Sequence, residues 1–219
     1  MDYVPPHALV SDVAPRDYRG LMKRIVIAGG IGAGKSALCD RLESLGFTVV
    51  DADDVAHDVT AKGTPALAAL VDAFGSAVLA NDGNLDRAFV AEIVFNDRTA
   101  LRRLNHITHG AIGVEIVRQL DEATGDAVFI AVPLFRPEHR AAFSVDEVWS
   151  VQVDPETAVR RLVERRGFKE GDARARLANQ MSNDERERIV DRVLWNEGSL
   201  EDLFAQLDAA LELVGLARG

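Results

Sequence analysis

Eight consecutive residues, Gly29-Gly30-Ile31-Gly32-Ala33-Gly34-Lys35-Ser36, satisfy the pattern G-x-x-x-x-G-K-[ST] at every fixed position. Each residue type there answers a demand of phosphate chemistry. Glycines let the backbone turn its N–H groups inward with no Cβ in the way, which makes a concave anion site. A helix opening at Lys35 adds the positive end of its dipole. The Lys35 ammonium can reach the outer phosphates of ATP, and the Ser36 hydroxyl can ligate Mg²⁺. The predicted nucleotide-binding residues are therefore Gly30, Ile31, Gly32, Ala33, Gly34, Lys35, Ser36 and Ala37, with Lys35 catalytic and Ser36 the metal ligand.

Two carboxylates follow. Asp51 and Asp53 stand at the end of a predicted strand, the edge of an open α/β sheet where ligands bind. Read as extended chain, they point to the same side. Either could accept the proton of an attacking hydroxyl or hold magnesium through water. The other reading is that one of them caps a helix starting near Val55. Arginines concentrate between Arg160 and Arg192. Most are expected on a solvated helix face, but charge spreading over a transferring phosphoryl group calls for mobile cations. Arg161, Arg165 and Arg176 are the candidates for a lid closing on ATP. His57, His106 and His109 have no fourth ligand at sensible spacing, so no zinc-type site is expected of them. Cys39 falls inside a predicted helix and reads as a small buried side chain.

The elements that must hold these residues alternate between strand and helix. Arg24–Ala28 is an apolar run typical of a strand buried on both faces, and a helix from about Lys35 ends at Gly46. Phe47–Val50 is a second strand, which completes a βαβ unit and requires parallel pairing. Residues from about 55 to 122 read as mostly helical. Thr64-Pro65 opens a helix with Leu67, Leu70, Val71 and Phe74 on one stripe, and Asn81-Asp82-Gly83 is a turn. A long helix is predicted over Arg98–Leu120, with Leu101, Leu104, Ile112 and Ile116 among its buried positions. Ala127–Val132 and Val148–Val153 are strands, Asp154-Pro155 caps the arginine-bearing helix, and Val193-Leu194-Trp195 is a last short strand. Ser199 caps a terminal helix with Leu200, Leu203, Leu207 and Leu211 on one side. The expected fold is α/β: a five-stranded, mainly parallel sheet with helices on both faces, a helical insertion over about 55–122, and an arginine-rich lid over about 160–190.

The chain has 219 residues and a formal net charge of −10. It can bury a full core, and its acidity argues against nucleic acid as the main partner, because phosphate backbones demand clustered cations. No apolar run approaches the ~20 residues of a membrane span. One cysteine fits a reducing compartment, so a cytoplasmic protein is expected, as a monomer or weak homo-oligomer. Residues 1–21, broken by Pro5, Pro6 and Pro15, lack the apolar core of a secretory signal. They are predicted to be a poorly ordered extension ahead of a domain over 22–219.

Taken together, the motifs resemble the dephospho-coenzyme A kinase family across about Arg24 to Leu211. The segments that carry the resemblance are Gly29–Ser36, Asp51-Ala52-Asp53 with Ala56-His57, Gly63–Ala66, and Asp82-Gly83 with Leu85-Asp86-Arg87. Further along come Leu104-Asn105 with Ile107-Thr108-His109, Val132–Phe135, Arg176–Gln180, and Val193–Leu200. The resemblance implies a P-loop kinase that moves the γ-phosphoryl group of ATP to the ribose 3′-hydroxyl of dephospho-coenzyme A. It implies Asp53 as general base, the helical insertion as the acceptor site with Arg87 and His109 near it, and the arginine segment as the ATP lid. Gly110 stands where the family usually has proline, and Arg136 stands just after Phe135 where it usually has further apolar and acidic residues. A kinase with a changed small-molecule acceptor and a non-catalytic ATP-binding relative stay open as readings.

Overall fold

The structure is a computed structural model that describes residues 22–217. The expectation for residues 1–21 lies outside the described residues.

In chain order the first elements are β1 (Lys23–Gly29), α1 (Lys35–Ser44), β2 (Thr48–Asp51), α2 (Ala52–Asp58) and α3 (Pro65–Phe74). After a 3₁₀ turn at Ser76–Val78 come α4 (Arg87–Asn96), α5 (Arg98–Glu122), β3 (Ala127–Ala131), α6 (Glu138–Ala142) and β4 (Glu147–Gln152). The chain continues through α7 (Pro155–Arg166), α8 (Glu170–Ala178), α9 (Asn183–Glu187), β5 (Arg192–Trp195) and α10 (Leu200–Leu213). Two compact units result. Ala52–Glu122 forms one, and the described residues before and after it form the other.

The second unit holds the sheet, with strand order β2-β3-β1-β4-β5 and every neighbouring pair parallel. A central parallel strand is covered on both faces, so it must be apolar at successive positions. β1 meets this with Ile25, Val26 and Ile27 fully buried, and β3 with Val128, Phe129 and Ile130. The edge strands β2 and β5 are only partly buried. One face packs Ile25, Ile27, Phe129, Trp149 and Val151 against Leu38 and Leu42 of α1 and Leu203, Leu207 and Leu211 of α10. Phe129 meets Phe47 and Trp149 edge to face, with ring centroids 5.2 and 5.8 Å apart. Such pairs add about 0.5–1.5 kcal/mol each to the ~1.5–3 kcal/mol of burying a large apolar side chain. The start of α7 is set by Asp154, whose side chain accepts from Glu156 N–H and Thr157 N–H. A reciprocal capping box between Ser199 and Asp202 starts α10.

The first unit is helical. Thr64 Oγ1 accepts from Leu67 N–H and donates to Ala61 O, which fixes the start of α3. Asp86 accepts from Phe89 N–H to start α4. Both α3 and α4 pack along α5, as does α2.

Three local expectations need correction. α2 begins at Ala52, so the chain is already helical at Asp53 and strand alternation does not govern how Asp51 and Asp53 are oriented. Leu101 is 40% exposed, while the buried positions of α5 are Ala100, Gly113, Ile116 and Leu120. Leu200 is 43% exposed in the first turn of α10, while Leu203, Leu207 and Leu211 are buried.

Candidate functional site

The glycine loop joins β1 to α1 at the carboxyl edge of the sheet, and three of its glycines are required for separate reasons. A Cβ on Gly29 would lie 2.9 Å from Val151 O on the neighbouring strand. Gly32 has φ +77° with Ala158 O 3.1 Å from where its Cβ would be. Gly34 has φ +103°, and a Cβ there would collide with Asn196 Nδ2. A turn closes the loop, with Ala33 N–H donating to Gly30 O at 3.2 Å. No side chain caps α1, whose N-cap is Gly34. The amides of Lys35, Ser36 and Ala37 thus lack the usual side-chain acceptor, and a helix start in that condition is an anion site.

Lys35 Nζ lies 3.9 Å from Asp51 Oδ2, with the two side chains 14% and 32% exposed. The contact is long and partly solvated, so it positions the ammonium without binding it tightly. Ser36 is exposed beside it on the first turn of α1.

One turn further in, burial pushes the Cys39 thiol from 9.0 up to about 12, against the opposing pull of Lys35. Thiol reagents at pH 8 will therefore leave the folded chain unlabelled and label it after denaturation. Rapid labelling of the folded chain would contradict this placement. The folded state holds this proton more tightly than the unfolded one. Its contribution to stability is therefore complete below pH about 9 and falls as pH rises toward 12.

A second layer braces the loop from behind. Asn196 Nδ2 donates to Ala33 O at 2.7 Å, and Arg161 Nη2 donates to Asn196 O at 2.8 Å. Burial, and after it the like charge of Arg165, lowers the pKa of Arg161 from the ordinary guanidinium value. Arg165 is exposed at the end of α7, and Arg176 stacks over the Phe168 ring at 5.0 Å.

Sequence reasoning assigned no contact to the two groups that reach the front of the loop, although Gln180 closes the Arg176–Gln180 segment. Gln180 Oε1 accepts from Ile31 N–H at 3.0 Å. Arg186, only 8% exposed, donates to Met181 O at 2.9 Å and to Asn183 Oδ1 at 3.1 Å. A legible signal existed in Ser182-x-x-Glu185, a capping-box spacing that makes α9 a helix and puts Arg186 in its last turn. These residues and the loop border a cleft of ≈ 420 Å³, walled on its apolar side by Val153, Pro155, Ala158 and Leu177. That is the size range of small-ligand sites.

In the helical unit, Asp53 and Asp54 occupy the first turn of α2, where negative charge is stabilising, and Asp53 is exposed. Arg87 closes the other end of α2. Its Nη2 donates to Thr60 Oγ1 at 2.9 Å and Ala56 O at 3.3 Å, and lies 3.3 Å from His57 Nδ1. Arg87 also borders a pocket of ≈ 250 Å³ lined by Leu85, Val90, Val94, Leu104, Thr108 and Ile112. Leu104 and Ile112 are half-buried rather than fully buried, as pocket walls are. His109, the residue after Thr108 on α5, is exposed.

Among the described residues no group of three or more His, Cys, Asp or Glu side chains could hold a metal ion, and no helix is long and apolar enough to cross a membrane.

The sequence profile of a family described as dephospho-CoA kinase matches residues 24–202. A dephospho-CoA kinase of Corynebacterium glutamicum is 46% identical over 188 residues, covering 84% of this chain and 94% of the relative. One from Carboxydothermus hydrogenoformans is 38% identical, covering 86% and 92%. Among solved structures, a Thermus thermophilus protein superposes with TM-score 0.75 at 30% identity, over 89% of this chain and 98% of its own. A dephospho-CoA kinase from Campylobacter jejuni superposes with TM-score 0.61 at 26% identity, over 90% and 99%. A shikimate kinase from Bacteroides thetaiotaomicron, at 15% identity and TM-score 0.51, shares the fold.

Proposed function

We propose, because the chain belongs to the dephospho-CoA kinase family, that it transfers the γ-phosphoryl group of ATP to the ribose 3′-hydroxyl of dephospho-coenzyme A, the last step of coenzyme A biosynthesis. The observation that carries this is the loop at Gly29–Ser36, with its uncapped helix start and Lys35 poised beside Asp51, in a chain matched over residues 24–202.

The loop amides and the start of α1 hold the phosphates of ATP, and the adjoining cleft takes the nucleoside. Lys35 follows the charge that moves onto the phosphoryl oxygens. Mg²⁺ fits the donor set, since this ion is commonly held by one or two carboxylates plus substrate phosphates. Ser36 would hold it directly and Asp51 through water. When bound, the ion neutralises charge on the β- and γ-oxygens. Asp53 accepts the proton of the attacking hydroxyl. The Arg87 pocket, with apolar walls and a cationic rim, takes the pantetheine-bearing part of the acceptor, and His109 lies beside that path. Arg161, Arg165 and Arg176 belong to the segment that covers ATP. The partners are thus small molecules, the acidity of the chain offers a nucleic acid little, and a cytoplasmic site of action fits a single buried thiol.

The test is ADP release with Mg-ATP in the presence and absence of dephospho-coenzyme A. Expected is a rate at least tenfold higher with the acceptor, on the scale that separates kinase turnover from background ATP hydrolysis. Equal rates would overturn the acceptor assignment.

A further inference from the structure

Arg186, in the sheet unit, sits in an environment unusual for its residue type. Arginine is almost never fully buried unless paired. Here the residue is buried, 8% exposed, yet its hydrogen-bond partners are neutral, Met181 O and Asn183 Oδ1. Among the described residues it forms no ion pair with a carboxylate. Desolvation alone lowers its pKa, with no compensating negative neighbour. A buried cation without a counter-charge is costly unless an anion arrives.

The direction from which an anion would arrive is set by the surroundings. Arg186 lines the cleft beside the phosphate loop. A Cβ placed on Gly30 would lie 3.4 Å from Arg186 Nη2 and 3.4 Å from Gln180 Oε1. At that same spot the Ile31 amide donates to Gln180 Oε1, so the front of the loop already offers an N–H to an acceptor oxygen. α9, which carries Arg186, is tied to the sheet through Asn183 Nδ2 donating to Val153 O at 3.0 Å. The guanidinium is therefore fixed in place before any ligand binds.

We propose that Arg186 is the cation that contacts the terminal phosphate of ATP from the Gly30–Ile31 side, so that the nucleotide supplies its missing counter-charge. Lys35 and the start of α1 hold the phosphates from the other arm of the loop. A planar fork suits phosphate better than an ammonium does. Gln180 keeps the Ile31 amide oriented until a phosphate oxygen takes its place.

The inference rests on the ATP-dependent kinase reading only for its rate measurement, since the binding measurements need no acceptor. Arg186→Gln keeps donors for Met181 O and Asn183 Oδ1 while removing the charge, and Arg186→Lys keeps the charge without the fork. Dissociation constants for ADP and for β,γ-imido-ATP, kcat with dephospho-coenzyme A, and thermal melting are measured for the wild type and both variants. In Arg186→Gln, expected are a wild-type-like melt, ADP binding within about threefold, imido-ATP binding weakened tenfold or more, and kcat lower by about 10²-fold or more. Arg186→Lys should recover part of both losses. If Arg186→Gln does not melt cooperatively, Arg186→Lys carries the test alone, with a lower kcat and unchanged ADP binding expected. Equal losses for ADP and imido-ATP, or kcat within about threefold of wild type in a folded variant, would overturn the proposal. A wild type that discriminates imido-ATP from ADP but turns over no dephospho-coenzyme A would instead remove the acceptor assignment and leave this contact standing.

Discussion

Lys35→Met will lower kcat for phosphoryl transfer by about 10²–10³-fold or more while leaving the melting transition close to that of the wild type. The rate loss follows from where charge appears. As the γ-phosphoryl group transfers, negative charge redistributes over its oxygens, and a fixed ammonium stabilises that state more than the ground state. The small effect on stability follows from the structure. The Lys35–Asp51 contact is 3.9 Å long between partly exposed groups. Such pairs are worth about 0–1 kcal/mol, and Asp51 keeps access to water when its partner is removed. Single-turnover transfer measured beside a thermal melt separates the two terms. A variant with unchanged kcat would remove Lys35 from the chemistry. One that failed to fold would mean that the lysine braces the loop.

Much of this architecture is written in local pattern, and the exceptions share a cause. β1 and β3 could be read as buried parallel strands because Ile25–Ala28 and Ala127–Ala131 are uninterrupted apolar runs. The loop could be read because phosphate binding needs glycine at positions where φ turns positive or backbones crowd. Gly32 and Gly34 are such positions. Errors fell at element ends. Leu101 and Leu200 match a helical stripe, yet both stand exposed in the first turns of their helices. The pairing of Asp51 with Asp53 presumed a strand that had already become a helix. The residues around the loop were legible only in part, because their roles depend on contacts between distant segments. Ile31 meets Gln180 across 149 positions, and Ala33 meets Asn196 across 163. A local window saw Gln180 and Asn196 only as motif letters and Arg186 as one charge in a polar run. Burial distinguishes Arg186 from its neighbours, and burial is a property of the folded chain.

Asp53→Asn is expected to lower kcat by about 10²–10⁴-fold with the dissociation constant for Mg-ATP unchanged, the signature of a lost general base. An amide cannot take the proton of the ribose hydroxyl, but it is nearly the same size, so the fold has little reason to respond. The competing role is structural, because a carboxylate in the first turn of α2 stabilises that helix by about 0.3–1 kcal/mol. Loss of that term alone would move the melt slightly and leave kcat alone. Asp51→Asn is the partner measurement. Asp51 lies next to Lys35 at the end of β2, so its loss should raise KM for Mg-ATP and make the rate more dependent on magnesium concentration. The split between kcat and KM then decides between the two carboxylates. The loss of kcat should be confined to Asp53→Asn and the rise in KM to Asp51→Asn. The opposite outcome would exchange their roles and place the base on the strand, beside the lysine, rather than on the first turn of the helix that follows it.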